Sequence, residues 1–290
     1  MTTFPSELLP PMTSASQLQT WASCGRKYAA KYVLHLAPEY RSTALVVGSV
    51  VHSVLGFHYE ERRDGRTVSR EHLQRIIQAD LAAEIAESNL RWKDETPESL
   101  EAEVTRLVSL YLDAHENDDV TETEVLFEIA LEDPETGEVR GRSLKGYFDF
   151  ILSGERVVEL KTAARAWHPD DLTRHIQVGA YAYAHMTKVG GMSDLDVRVL
   201  VKTKTPRIDS FHVARGEPAT RWFISAAWQI EEAILSGIFP PSPSPMCGAC
   251  EYRKACQSLD WSTVLEQPLE QSNARSPRLP VVEQTSHVLA

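Results

Sequence analysis

Gly146-Tyr147-Phe148-Asp149-Phe150 and, a few residues later, Val157-Val158-Glu159-Leu160-Lys161 are the segments on which the fold turns. Both are apolar runs that carry isolated charges. Side chains alternate along a strand, so Glu159 and Lys161 share one face while Val158 and Leu160 face a core on the other. Leu144 to Leu152 and Val157 to Leu160 read as strands joined by a tight turn at Ser153-Gly154. A hairpin through that turn brings Asp149 close to Glu159. Exposed strands often alternate charges, and Glu-x-Lys triplets are common. Charges enclosed by Tyr-Phe-Asp-Phe and Val-Val-Glu-Leu are harder to explain as idle surface.

Outward from the hairpin, Val125 to Leu131 reads as an earlier strand, followed by a turn signal at Asp133 to Gly137. After it, Pro169 suits the first turn of a helix running to Lys188, which Gly190-Gly191 ends. Leu195 to Thr203 and Ile208 to Val213 read as strands, and Pro218 to Ser236 as a helix. The first 118 residues are mostly helical. Ser14 is a plausible N-cap for a helix through Leu18, Trp21, Cys24, Tyr28 and Tyr32. Further helices follow over Thr43 to Glu61, Ser69 to Leu90 and Pro97 to Asn117. The expected organisation is a helical portion at 1–118, an α/β core at 119–238, a cysteine segment at 239–261 and a disordered tail at 262–290. No internal repeat is present.

The chain has 290 residues, 42% of them hydrophobic, which is enough for a sizeable core. No apolar run approaches a membrane span, and Met1 to Ser16 lacks a signal pattern, so a cytoplasmic location is expected. The net charge of −11 argues against a protein that coats nucleic acid, because phosphate neutralisation supplies most of such affinity. It leaves room for an enzyme with a local basic groove and acidic metal ligands.

Asp149 and Glu159 side by side repel each other unless a cation lies between them. Mg²⁺ or Mn²⁺ suits the task, since hard cations take oxygen ligands. Such an ion polarises a phosphate and lowers the pKa of an attacking water. Lys161 would then orient that water and offset charge in the transition state.

This set resembles the PD-(D/E)XK nuclease superfamily, whose core is an acidic residue, a short hairpin and Glu-x-Lys. Phe148 stands where the name-giving proline would be. Three further segments resemble the RecB-like branch. Gly48-Ser49-Val50-Val51-His52 is similar to its helical histidine motif, which implies that His52 is a further metal ligand. Gln177-Val178-Gly179-Ala180-Tyr181 is similar to its Gln-xxx-Tyr motif, with both side chains on one helix face, toward DNA or Lys161. Glu128 resembles a recurring acidic position. The resemblance covers about Ser14 to Cys256. It implies a restriction-endonuclease-like α/β core flanked by helices, and a single-strand-preferring DNA exonuclease of recombination, repair, phage DNA processing or spacer acquisition. A non-catalytic DNA-binding or assembly module on the same fold is the competing reading.

The four cysteines are Cys24, alone near the N-terminus, and Cys247, Cys250 and Cys256, in a C-x₂-C-x₅-C loop behind a proline-rich stretch. Disulfides are a poor explanation in a chain without a secretion signal. Four thiolates suit zinc or a [4Fe–4S] cluster, and spacing alone does not separate them. The one-plus-three layout resembles the iron–sulfur nucleases of the RecB-like branch, namely the AddB nuclease domain and the CRISPR-adaptation exonucleases. That resemblance implies a [4Fe–4S] cluster pinning the first helix to the C-terminal segment. Arg165, Arg174, Lys202 and Lys204 are candidate phosphate contacts, with Lys202 and Lys204 expected on one strand face. No Gly-x-x-x-x-Gly-Lys-Ser/Thr is present, so a duplex would need attack from its ends or a helicase, CRISPR or recombination partner.

Overall fold

The computed structural model describes residues 4–133, 135–261 and 265. The tail expected to be disordered falls, apart from Leu265, outside them. Five strands form the central sheet in sequence order. In chain numbering they are β3 (Val120–Ile129), β4 (Leu144–Leu152), β5 (Val157–Ala163), β6 (Ser193–Val201) and β7 (Arg207–Arg215). Only β5 and β6 pair in parallel. The parallel pair requires a crossover, which α6 (Pro169–Thr173) and α7 (Ile176–Val189) supply. A minor parallel pair, β1 (Arg41–Ser42) and β2 (Leu90–Arg91), lies outside this sheet.

Helices cover both faces. On one, α3 (Thr43–Arg63), α4 (Arg70–Glu87) and α5 (Pro97–Ala114) bury a valine- and leucine-rich stripe against Phe150, Val158, Leu160 and Leu200. On the other, α1 (Ala15–Ser23), α2 (Gly25–Tyr28), α7 and α8 (Glu217–Leu235) pack against Phe148, Val157, Val197 and Val199. The helical N-terminal third is thus divided between the two sides of the sheet. Each helix of the first group has a side-chain N-cap, from Ser42, Ser69 and Thr96, which satisfies amides that burial would strand.

Three expectations change. The first helix is not continuous: Cys24 is extended at φ −166° and ψ 113°, and the chain then resumes as α2 and a π-helical turn at Ala29–Val33. Its apolar spacing continues in step across the break, so periodicity alone reads straight through it. The helix after β5 is also split, with Arg174 between α6 and α7. Strand β6 ends at Val201, so Lys202 and Lys204 lie in the following turn rather than on a shared strand face.

Each face is fastened by a buried polar clasp. Arg142 forks onto Glu231 at 2.9 Å and also donates to the Pro10 carbonyl and the Tyr28 hydroxyl. It joins the N-terminal segment, α2, the β3–β4 connection and α8. Arg198 on β6 similarly bonds Tyr111 and Asp118. Losing one partner of such a pair strands a buried charge and costs about 3–5 kcal/mol.

Candidate active site

The central hairpin parts where its charges begin. β4 and β5 pair at Phe150–Val158 and Ile151–Val157, with Asp149 and Glu159 just beyond. Phe148 packs on the Tyr181 side of the sheet, with ring centroids 5.7 Å apart. Phe150, two residues on, packs against Tyr59 on the α3 side at 5.1 Å. The alternation of β4 therefore breaks at Asp149. Its carboxylate substitutes for the missing ladder by accepting the Leu160 amide at 2.7 Å. Opposite it on β3, Glu124 has φ 47°, a conformation uncommon for a residue with a side chain.

The opening lets both helical layers reach the same point. From α3, His52 Nδ1 lies 3.2 Å from Asp149 Oδ1. Gly48, one turn earlier, makes that approach possible: a Cβ there would stand 3.1 Å from Thr162 Oγ1 on β5. From α7, Gln177 Nε2 donates to Glu159 Oε1 at 2.8 Å and to the Tyr181 hydroxyl at 3.1 Å. Lys161 Nζ forms an ion pair with the same Glu159 oxygen. Glu159 is only 2% exposed, yet its Oε2 is buried with no hydrogen-bond partner among the described residues.

The electrostatics separate the two carboxylates. Burial and the neighbouring Asp149 push Glu159 well above the ordinary carboxylate range, against the pull of Lys161. Burial also acts to raise Asp149, but His52, Lys161 and the Leu160 amide together hold it below its usual value. Burial works against the Lys161 ammonium, and Glu159 and Asp149 more than compensate. The Tyr181 hydroxyl is pushed upward by burial and then by Glu159, so it stays protonated.

The structure therefore brings together Asp149, Glu159, Lys161, Gln177, Tyr181 and His52. Gln177 bonds Glu159 rather than Lys161. Glu128 stays outside: it is exposed and pairs with Lys145 at 3.5 Å. Lys202 is half-buried in a groove of about 510 Å³ that also contains His52 and Lys161. Arg165, Arg174 and Lys204 are exposed. Glu124 lies one residue before the strand expected at Val125 and carried no signal in the sequence; the strand in fact begins at Val120, and the unusual backbone of Glu124 and its place beside His52 emerge only in three dimensions.

The cysteines form a second region. All four are free thiols, with Cys247 and Cys256 exposed. Burial raises the Cys256 pKa, and Cys24, Cys250 and Cys247 raise it further, so the four are electrostatic neighbours. Their segments are fastened at the backbone. Arg26 N donates to Pro240 O at 3.3 Å, Glu39 N to Glu251 O at 2.9 Å, and Lys27 pairs with Glu251. Gly25 is needed there, since a Cβ would meet Pro240 N at 2.6 Å. Among the described residues, no three His, Cys, Asp or Glu side chains are already arranged to hold a metal ion. At the carboxylates, Lys161 and His52 occupy the oxygens instead. The buried, unpartnered Glu159 oxygen beside a second carboxylate and an imidazole still fits a hard divalent cation.

Among the described residues, no helix is long and apolar enough to cross a membrane. No curated protein matches the sequence significantly. Among solved structures, an Eubacterium rectale protein provisionally assigned as an exonuclease superposes with a TM-score of 0.51 at 17% identity, covering 83% of this chain and 88% of that one. At that identity the likeness concerns the fold alone. The SSO0001 crystal structure reaches a TM-score of only 0.33 at 14% identity, over 83% of this chain and 94% of that one, too loose to carry weight. The sequence profile of the PD-(D/E)XK nuclease superfamily matches residues 12–257. That match spans both helical layers, the whole sheet and the cysteine segment, and the chain belongs to the PD-(D/E)XK nuclease superfamily.

Proposed function

We propose that this nuclease is a divalent-metal-dependent exodeoxyribonuclease acting on single strands or strand ends. The observation that carries the reading is the buried Glu159 carboxylate, with one oxygen on Lys161 and Gln177 and the other unpartnered, beside Asp149 and His52. Asp149, Glu159 and His52 would hold Mg²⁺ or Mn²⁺. The ion, when bound, supplies Lewis acidity toward a phosphate and a more acidic water. Lys161 orients the attacking water and offsets developing negative charge. Gln177 keeps Glu159 in place, and Tyr181 anchors Gln177. Digestion of 5′- and 3′-labelled single- and double-stranded DNA with Mn²⁺ tests this. Progressive shortening from an end is expected; no cleavage of any substrate overturns it.

The cysteine quartet supports a structural [4Fe–4S] cluster that joins α1 and α2 to the C-terminal segment. Four neighbouring free thiols suit it, because a cation relieves the repulsion that raises Cys256. Anaerobic purification, a visible spectrum and metal analysis test it. Brown protein with iron and sulfide is expected, and colourless protein with zinc overturns it. With no ATP-hydrolysing motif in the chain, duplex substrates would be unwound by a helicase or recombination partner.

A further inference from the structure

One stripe of α3 passes directly over the site: Leu45, Ser49, His52, Gly56 and Glu60 recur at spacings of three and four. It borders two openings that meet at Ser49 and His52. The opening toward the start of α3, about 510 Å³, contains Arg41, Lys161 and Lys202 and no carboxylate. The opening toward its end, about 440 Å³, contains Glu60 and Glu124 and neither lysine nor arginine. With 1.5 Å of rise per residue, Leu45 and Glu60 lie about 10 Å on either side of His52. The charge of the groove therefore reverses at the reacting position.

Arg41 is fixed by an ion pair to Glu84, while the Lys202 side chain makes no hydrogen bond or ion pair among the described residues and feels Glu103 and Glu95 only through space. At the other opening, Ser53 is held by a hydrogen bond to Asp80, outside the lining, at 2.8 Å. Glu60 accepts from Thr123 at 3.0 Å, which fixes one wall beside Glu124. Leu45 is 60% exposed at the mouth of the basic side, an apolar surface on which a base can rest.

A DNA strand carries a phosphate at every nucleotide, so a basic groove draws it in and an acidic one repels it. We infer that this reversal makes the enzyme select strand ends. The retained strand lies on the Arg41 and Lys202 side. Glu60 and Glu124 disfavour phosphates beyond the scissile position and admit only a short leaving fragment. The inference rests on the nuclease activity proposed above.

The test compares wild type with Glu60→Lys/Glu124→Lys on end-labelled linear and on circular single-stranded DNA, with Mn²⁺. Wild type should shorten linear strands, release short fragments and leave circles intact. The charge-reversed variant should cut circles at least about tenfold faster than wild type and release longer fragments. Glu60→Gln/Glu124→Gln should shift both readouts the same way by less, and it stands in if the reversed variant fails to fold. Lys202→Ala should raise KM for linear strands without lengthening the products. Unchanged products from a folded variant overturn the inference alone, whereas circles cut by wild type as fast as linear strands overturn it together with the exonuclease reading and leave the nuclease reading standing. Slower cleavage of linear DNA by the Gln pair also overturns it, since the carboxylates would then serve the reaction itself. Wild type that cuts neither substrate overturns the nuclease reading first.

Discussion

The carboxylate–lysine centre and the cysteine quartet are both places where like side chains gather, but they are built differently. The first lies inside the fold, where two strands part and helices from opposite layers meet. Asp149 is held by His52 and the Leu160 amide, and Glu159 by Gln177 and Lys161. The second joins distant parts of the chain, with Cys24 at a helix break, Cys247 on a 3-10 turn, Cys250 capping that turn and Cys256 on a six-residue helix, α9 (Arg253–Ser258). There the fold supplies proximity through backbone bonds, and a metal would supply closure. Chemistry demands preorganised geometry, whereas a clasp needs only ends that can be drawn together.

Four measurements break or sharpen that contrast. Lys161→Ala should reduce cleavage by about 10²–10³-fold while the visible spectrum of the cysteine site is unchanged. Equal activity in that variant would remove Lys161 from the reaction. Gln177→Ala takes away the donor on Glu159 and should weaken Mn²⁺ affinity by about 10–100-fold, with excess Mn²⁺ recovering most of the rate. An affinity unchanged by titration would reduce Gln177 to packing. Conversely, if the proposed cluster is bound, Cys250→Ser should remove it and lower the unfolding midpoint by about 5–10 °C, while Mn²⁺ still stabilises what remains folded. A midpoint that does not move would mean that the backbone bonds alone hold the clasp.

The smallest effect is a proton. Burial and Asp149 raise Glu159, so lower pH keeps it protonated and weakens Mn²⁺ binding; affinity should rise with pH through its raised pKa. Calorimetry in buffers of different ionisation heat should register release of about one proton per Mn²⁺ near and below that pKa. Zero release across that range would mean that both carboxylates are already ionised.

Much of this was legible because the sheet's periodicity is strong. The strand Leu144–Leu152 has the limits its alternation predicts, and Val158 and Leu160 face the core as expected. Asp149, Glu159 and Lys161 could be singled out because charge inside apolar runs is costly without a purpose. His52 and Gln177 were recognisable through family resemblance, since a histidine or glutamine on a helix carries no local signature. The breaks at Cys24 and Arg174 were hidden because the apolar spacing resumes in step beyond each. The clasps Arg142–Glu231 and Arg198–Asp118 were hidden because their partners lie 89 and 80 residues apart.

By itself, then, the sequence determined which strands form the sheet and that Val158 and Leu160 face its core, and it singled out Asp149, Glu159 and Lys161 as charges the fold would have to accommodate. These are local matters of period and polarity. Tertiary structure alone decided that β4 and β5 part at Asp149, that two helical layers meet through the opening, and that charge reverses along α3. Those features depend on which distant surfaces pack together, and packing is a property of the assembled chain rather than of any segment.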